Sequence, residues 1–105
     1  MGSAIGTPQF MPPEQAAGRL DRLGAASDVY SLGATLYCLL AGKAPFEGRD
    51  VGAVLQKVQR GDFPPPRQVR PGVPAALEAV CLKAMALRPE DRYPSPRALA
   101  DDIKH

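Results

Sequence analysis

Cysteine and histidine are scarce in this 105-residue chain: two cysteines, Cys38 and Cys81, and one histidine, His105, at the last position. Neither cysteine belongs to a CxxC spacing and both stand on apolar helical faces. A zinc site or disulfide framework is therefore a poor reading, and both residues are expected as buried free thiols of a reducing compartment. An excess of charge of one sign is missing too. Thirteen basic against eleven acidic residues leave a net charge of +2, with no basic run. That removes the electrostatic footprint of nucleic-acid or polybasic membrane binding. No apolar leader opens the chain, and Met1-Gly2 fails as a myristoylation start because Gly6 stands where Ser or Thr is needed. Segments alternating with period two are also lacking, which excludes a strand-based fold.

Proline is present in excess, twelve residues, and it acts as punctuation. Between the prolines lie the long stretches Glu14 to Ala44, Glu47 to Phe63, Ala75 to Arg88 and Arg97 to His105, each carrying a helical pattern. The expected fold is all-α, with no internal repeat.

The chain is organised around residues 27–42, SDVYSLGATLYCLLAG. Ser27 is expected as the N-cap, Asp28 complements the helix dipole, and Gly42 followed by Pro45 marks the stop. The apolar residues from Val29 to Leu40 cover nearly the whole circumference. Sixteen residues are too few to span a bilayer, so this reads as the central buried helix of a helical core. Asp28 would then be a buried acid.

Residues 1–11 read as a loop and 12–18 as a short helix with proline in its first turn. Asp50 caps an amphipathic helix over 50–60, with Val51, Val54, Leu55 and Val58 on one face. Asp62 to Val73 is expected to run as a non-helical, polyproline-type connector, and Pro45-Phe46 to tuck a ring onto the core. Helices follow over 74–86 and 96–105, the last capped by Ser95 with Leu99, Ala100 and Ile103 in a stripe. That stripe stops in mid-pattern at His105, which reads as a chain cut from a longer one.

Three motifs carry the functional meaning. They are Gly6-Thr7-Pro8-Gln9-Phe10-Met11-Pro12-Pro13-Glu14, then Ser27-Asp28-Val29-Tyr30-Ser31-Leu32-Gly33, then Arg88-Pro89-Glu90-Asp91-Arg92-Tyr93. In this order and at these separations, the chain resembles the C-terminal part of a Ser/Thr protein kinase domain, from the end of the activation segment to the last helix. Tyr-Ser-Leu-Gly-Ala in the central helix and Leu-Lys-Ala-Met-Ala near Met85 look bacterial.

The resemblance implies a substrate-binding loop over residues 1–11. Thr7 would bond the catalytic aspartate and lysine, and Gly6, Pro8 and Phe10 would shape the place where the peptide lies. Glu14 would pair with Arg92, and Asp28 would anchor the catalytic loop; Pro12 stands where alanine is usual, and Tyr30 where animal kinases have tryptophan. Ser3 is a possible phosphosite.

A kinase also needs a glycine-rich nucleotide loop, a paired lysine, a catalytic His-Arg-Asp and a metal-binding Asp-Phe-Gly, and none of these occurs in the sequence. The resemblance therefore implies a cytoplasmic parent that uses ATP and Mg to phosphorylate Ser/Thr of proteins in bacterial signalling, with any membrane anchor in segments outside this sequence. Its partners are the protein substrate and the missing N-terminal part of the kinase domain, with no nucleic acid and no direct membrane contact. This chain alone is expected to bind no metal or nucleotide, to hold no catalytic residue, and to be inactive. The alternative is a non-catalytic protein-binding module derived from a kinase lobe. Either way, too few elements surround the central helix, and an exposed apolar patch is expected.

Overall fold

The computed structural model describes residues 10–104. Their elements are α1 (Pro13–Ala16), a 3-10 turn (Leu20–Arg22), α2 (Ala25–Ala41), α3 (Val51–Arg60), α4 (Pro66–Val69), α5 (Ala75–Ala84), a second 3-10 turn (Pro89–Asp91) and α6 (Pro96–Lys104). No strand occurs among the described residues, and the fold is all-α. None of the described helices is long and apolar enough to cross a membrane.

The central helix is capped three residues earlier than the sequence pattern indicates, because Ser27 is not its N-cap. Gly24 takes that place in an extended conformation, and its carbonyl accepts from the Ser27 and Asp28 amides at 3.0 and 3.2 Å. The Ser27 hydroxyl oxygen reaches back instead and accepts the Gly24 N–H at 3.2 Å. The stop falls as expected. Gly42, at φ 80°, takes the left-handed conformation and donates to the Cys38 carbonyl.

Two apolar clusters flank α2. Tyr30, Ala34 and Tyr37 cluster with Phe46, Val54, Val58, Cys81 and Met85, whereas Val29 clusters with Val80, Ala84, Tyr93 and Leu99. The helix is not wrapped on every side, however. Leu32 and Leu39 are 45% and 74% exposed, and with half-buried Leu36 they lie within about 60° of arc at 100° per residue. The apolar pattern is thus mostly core, with one narrow open strip at Leu32 and Leu39.

Phe46 tucks inward as its place after Pro45 indicates, meeting Phe63 edge-on at 5.4 Å, and Phe63 meets Tyr37 edge-on at 5.7 Å. Between Asp62 and Val73 the expectation of a wholly non-helical connector is overturned. Pro66 occupies the first position of α4, where its missing N–H costs nothing, and the turn ends at Arg70, held extended before Pro71. The new turn is tied down at both sides. Arg67 N–H donates to the Glu78 carboxylate at 2.9 Å, and the Tyr37 hydroxyl donates to the Pro64 carbonyl at 2.6 Å.

Asp50 caps α3 by accepting from the Gly52 and Ala53 amides, and Gly61 ends it at φ 65°. Ser95 accepts the Ala98 N–H at the start of α6, where Leu99 is buried while Ala100 and Ile103 face solvent. α6 is also held by Tyr93, which donates to the Asp102 carboxylate while the Lys83 ammonium sits 4.6 Å above its ring. Both cysteines are free, as expected, but only Cys81 is buried, Cys38 being half-buried on α2; burial pushes the Cys81 thiol up to about 12, which keeps it protonated and inert.

Candidate functional site: the Glu14–Arg92 clasp

Glu14 lies in the short helix α1, and Arg92 follows the second 3-10 turn, 78 positions later. Their side chains are 4% and 0% exposed. The pairing is bidentate: Arg92 Nη1 donates to Glu14 Oε2 at 2.8 Å and Nη2 to Oε1 at 2.9 Å. The remaining guanidinium hydrogens are also used, with Nε on the Ala86 carbonyl at 2.7 Å, Nη1 on that of Ala26 at 3.1 Å and Nη2 on that of Leu87 at 3.2 Å. All five donors of the fork are satisfied, which a lysine could not achieve.

The carboxylate has a third donor, the Ser27 hydroxyl, at 2.7 Å from Oε2. Burial alone would raise the Glu14 pKa, but the hydrogen bonds from Arg92 and Ser27 and the positive charge of Arg92 outweigh it and hold the carboxyl below its usual range. The group is ionised in the folded chain.

Beneath the pair, the guanidinium carbon of Arg92 sits 4.9 Å from the centre of the Tyr30 ring. The Tyr30 hydroxyl is the only buried side-chain nitrogen or oxygen among the described residues without a hydrogen-bond partner. Burial pushes its pKa up, so it stays neutral. Phenylalanine would keep the ring under Arg92 and delete an unsatisfied hydroxyl, whose burial costs about 1–3 kcal/mol. Tyr30→Phe is therefore expected to leave the urea midpoint unchanged or raise it. A fall worth more than about 1 kcal/mol would show that the hydroxyl has a stabilising role.

Asp28 departs from its expected burial. It is exposed in the first turn of α2, at the edge of an open hollow of about 340 Å³ also lined by Pro12, Gln15, Leu23, Ser27 and Ser31. A carboxylate without buried donors is cheapest in water, and that is where this one lies. Phe10 is half-buried, its ring packed against the core beside α2, and its carbonyl accepts the Ser31 hydroxyl at 3.0 Å. Gly6, Thr7, Pro8 and Ser3 lie outside the described residues.

Sequence reading pairs Glu14 with Arg92 only through the family resemblance. It misses Ser27 as a ligand of Glu14 and Ser31 as the holder of Phe10. Their signal was the spacing of four within α2, which places both hydroxyls on one face.

These features define a class: an α-helical lobe built on one central helix, with a buried bidentate ion pair joining the segment before that helix to the turn before the last. The protein kinase domain model matches residues 1–102. The chain belongs to the protein kinase domain family.

It is 43% identical over 98% of its length to the tyrosine-protein kinase MasK of Myxococcus xanthus and 43% identical over 98% to the serine/threonine-protein kinase Pkn1 of the same species. It is 44% identical over 96% of its length to the serine/threonine-protein kinase PknB of Mycobacterium leprae. The chain spans only 15 to 16% of each of these relatives. Among solved structures, the twitchin kinase region from C. elegans superposes with a TM-score of 0.77 and 25% identity, over 92% of this chain and 16% of that one. The bacterial kinase resemblance is thus shown across almost the whole sequence.

Proposed function

We propose that this chain is the substrate-side segment of a kinase that transfers the γ-phosphate of ATP to serine and threonine hydroxyls of proteins in the cytoplasm. The observation that carries the reading is the Glu14–Arg92 clasp, which ties α1 to the turn before α6, while Ser31 of α2 holds the Phe10 carbonyl. In this role Thr7 bridges to the catalytic groups, Gly6, Pro8 and Phe10 seat the acceptor peptide, and Asp28, exposed at the start of α2, takes hydrogen bonds from the catalytic loop.

ATP and magnesium would supply the transferred group and its charge neutralisation. The residues of this segment do not fit them. No three carboxylate, thiol or imidazole groups converge to hold a metal among the described residues, and the sequence has no His-Arg-Asp or Asp-Phe-Gly. The chain's own contribution is to position a peptide; phosphoryl transfer needs groups that it does not contain.

The test compares the 105-residue chain with the intact protein that contains it, each given labelled MgATP and a basic acceptor protein, followed by phosphoamino-acid analysis. Label on Ser and Thr is expected from the intact protein, and none from the chain alone. Turnover by the chain would overturn its inactivity, and label confined to tyrosine would overturn the acceptor class. An intact protein that binds the acceptor without transfer would favour the non-catalytic binding module.

A further inference from the structure

A cleft of about 210 Å³ opens beside the Glu14–Arg92 clasp. Pro13 and Ala17 line it from α1 and its C-cap, and Leu87 and Pro89 line it from the chain entering the second 3-10 turn. The two sides are tied through one guanidinium, since Arg92 donates to the Glu14 carboxylate and, at 3.2 Å, to the Leu87 carbonyl. The cleft is therefore preformed, and a ligand entering it has little ordering to impose.

Arg19 and Arg22 give the cleft its charge. They bound the first 3-10 turn, where the Arg22 N–H donates to the Arg19 carbonyl at 3.0 Å. Three residues make one turn of such a helix, so side chains three apart lie on the same side. Both arginines are exposed, both line the cleft, and neither forms an ion pair among the described residues. Like charges held side by side repel, and an anion between them relieves the repulsion. Asp21 stands between them in sequence but does not line the cleft. Glu90 feels the charge of Arg22, yet it is held by Arg88 at 2.9 Å. The Glu14 charge is matched by Arg92. The cleft thus keeps positive charge without a partner beside apolar walls.

Size and donors narrow the ligand. Small-molecule pockets usually hold about 300–1,000 Å³, so this cleft suits a side chain or two rather than a whole cofactor. A phosphate would draw on backbone N–H groups as well as arginines, but the amides of residues 15–19 all donate to carbonyls of Pro12, Pro13, Glu14 and Gln15. What remains is two guanidinium forks, each matched to one carboxylate.

We propose that this cleft docks an acidic segment of a partner protein, with an apolar side chain against Pro13, Ala17, Leu87 and Pro89 and carboxylates on Arg19 and Arg22. This goes beyond the phosphotransfer reading, because it needs neither nucleotide nor catalytic group.

The experiment titrates the intact protein containing this segment, without ATP, into the fluorescein-labelled peptide Gly-Glu-Glu-Leu-Glu-Glu-Gly and follows anisotropy. Binding with a Kd below about 1 mM is expected. Arg19→Gln with Arg22→Gln is expected to weaken it about tenfold, with the thermal midpoint unchanged or raised, because neither arginine has an ion-pair partner to lose. Arg19→Glu with Arg22→Glu is expected to bind Gly-Lys-Lys-Leu-Lys-Lys-Gly in place of the acidic peptide. Serine for the peptide leucine is expected to weaken binding about threefold or more, and no change would overturn the apolar seat. Failure of the unchanged protein to bind the acidic peptide, including failure because another part of the chain or a second copy covers the cleft, overturns the proposal. Equal binding by the Gln double variant does so too. Tighter binding of a peptide carrying phosphoserine in place of glutamate would assign the cleft to phosphate and overturn the carboxylate ligand.

Discussion

Glu14→Gln is expected to destabilise the chain by about 3–5 kcal/mol, the usual cost of stranding one member of a buried ion pair. The amide keeps the shape of the carboxylate but leaves the Arg92 guanidinium, 0% exposed, without its counter-charge. Arg92 substitutions are expected to cost still more. Arg92→Lys removes the fork that satisfies the Ala86, Ala26 and Leu87 carbonyls as well as both Glu14 oxygens, and three rotating donors cannot reach five acceptors. For the same reason, replacing both partners by leucine is not expected to rescue the fold, although apolar replacement rescues simpler buried pairs.

Urea denaturation of the single variants checks this ranking. A loss under about 1 kcal/mol for Glu14→Gln would mean that the pair stabilises no more than a surface bridge does. The same network sets an acid limb. Because the folded Glu14 pKa lies below its ordinary value of 4.5, the stability contributed by the ionised carboxylate is fully present above pH 4.5 and is lost as pH falls through the folded value. Glu14→Gln is expected to flatten that limb, since the amide does not titrate.

The second large effect is expected at Gly33. A Cβ added there would lie 2.7 Å from the Ala84 Cβ and 2.9 Å from the Met85 Cγ. The Met85 side chain can turn aside. Ala84 Cβ is fixed to the backbone of α5, so relief requires α2 and α5 to move apart, which also opens both core clusters. Gly33→Ala gains about 1 kcal/mol of helix propensity, but overpacking typically costs about 1–3 kcal/mol, so a net loss is expected. Gly33→Val adds two more carbons and gains less propensity, and it is expected to lose more.

Ala84→Gly in the Gly33→Ala background returns the missing space and separates the two causes. If close packing is the cause, the double variant recovers part of the thermal midpoint despite carrying a glycine in α5. Failure to recover any of it would place the cost of Gly33→Ala elsewhere. The tightness of this crossing also shows in the Cys81 thiol, which donates to the Gly33 carbonyl at 3.5 Å.

Much of this architecture was legible in the residues. Gly42 and Gly61 mark helix ends because a left-handed turn needs no Cβ there, Asp50 and Ser95 cap helices by local chemistry, and prolines bound the segments between them. Each signal acts over four or five residues, which is the range that a sequence pattern can report. Ser27 was misread for the same reason. Local chemistry makes a serine before an apolar run an N-cap, but Ser27 is drawn one turn into the helix, where it can serve Glu14 thirteen positions upstream.

The proline-rich stretch was misread in the opposite sense. Three successive prolines discourage a helix through them, yet the last of them, Pro66, starts one once Tyr37 and Glu78 hold its flanks. The Glu14–Arg92 pair could be named from its motifs. That Arg92 uses every donor it has could not.

By itself the sequence determined the all-α class, the helix stops at Gly42 and Gly61 and the kinase family, because periodicity, caps and motif order are written within short windows. Only the tertiary structure decided that α2 keeps one leucine face open, that Asp28 lies in water, and that Ser27 and Ser31 grip residues 14 and 10. Those outcomes depend on which neighbours arrive from distant parts of the chain. A side chain's burial and partners are properties of that arrival, which no local pattern contains.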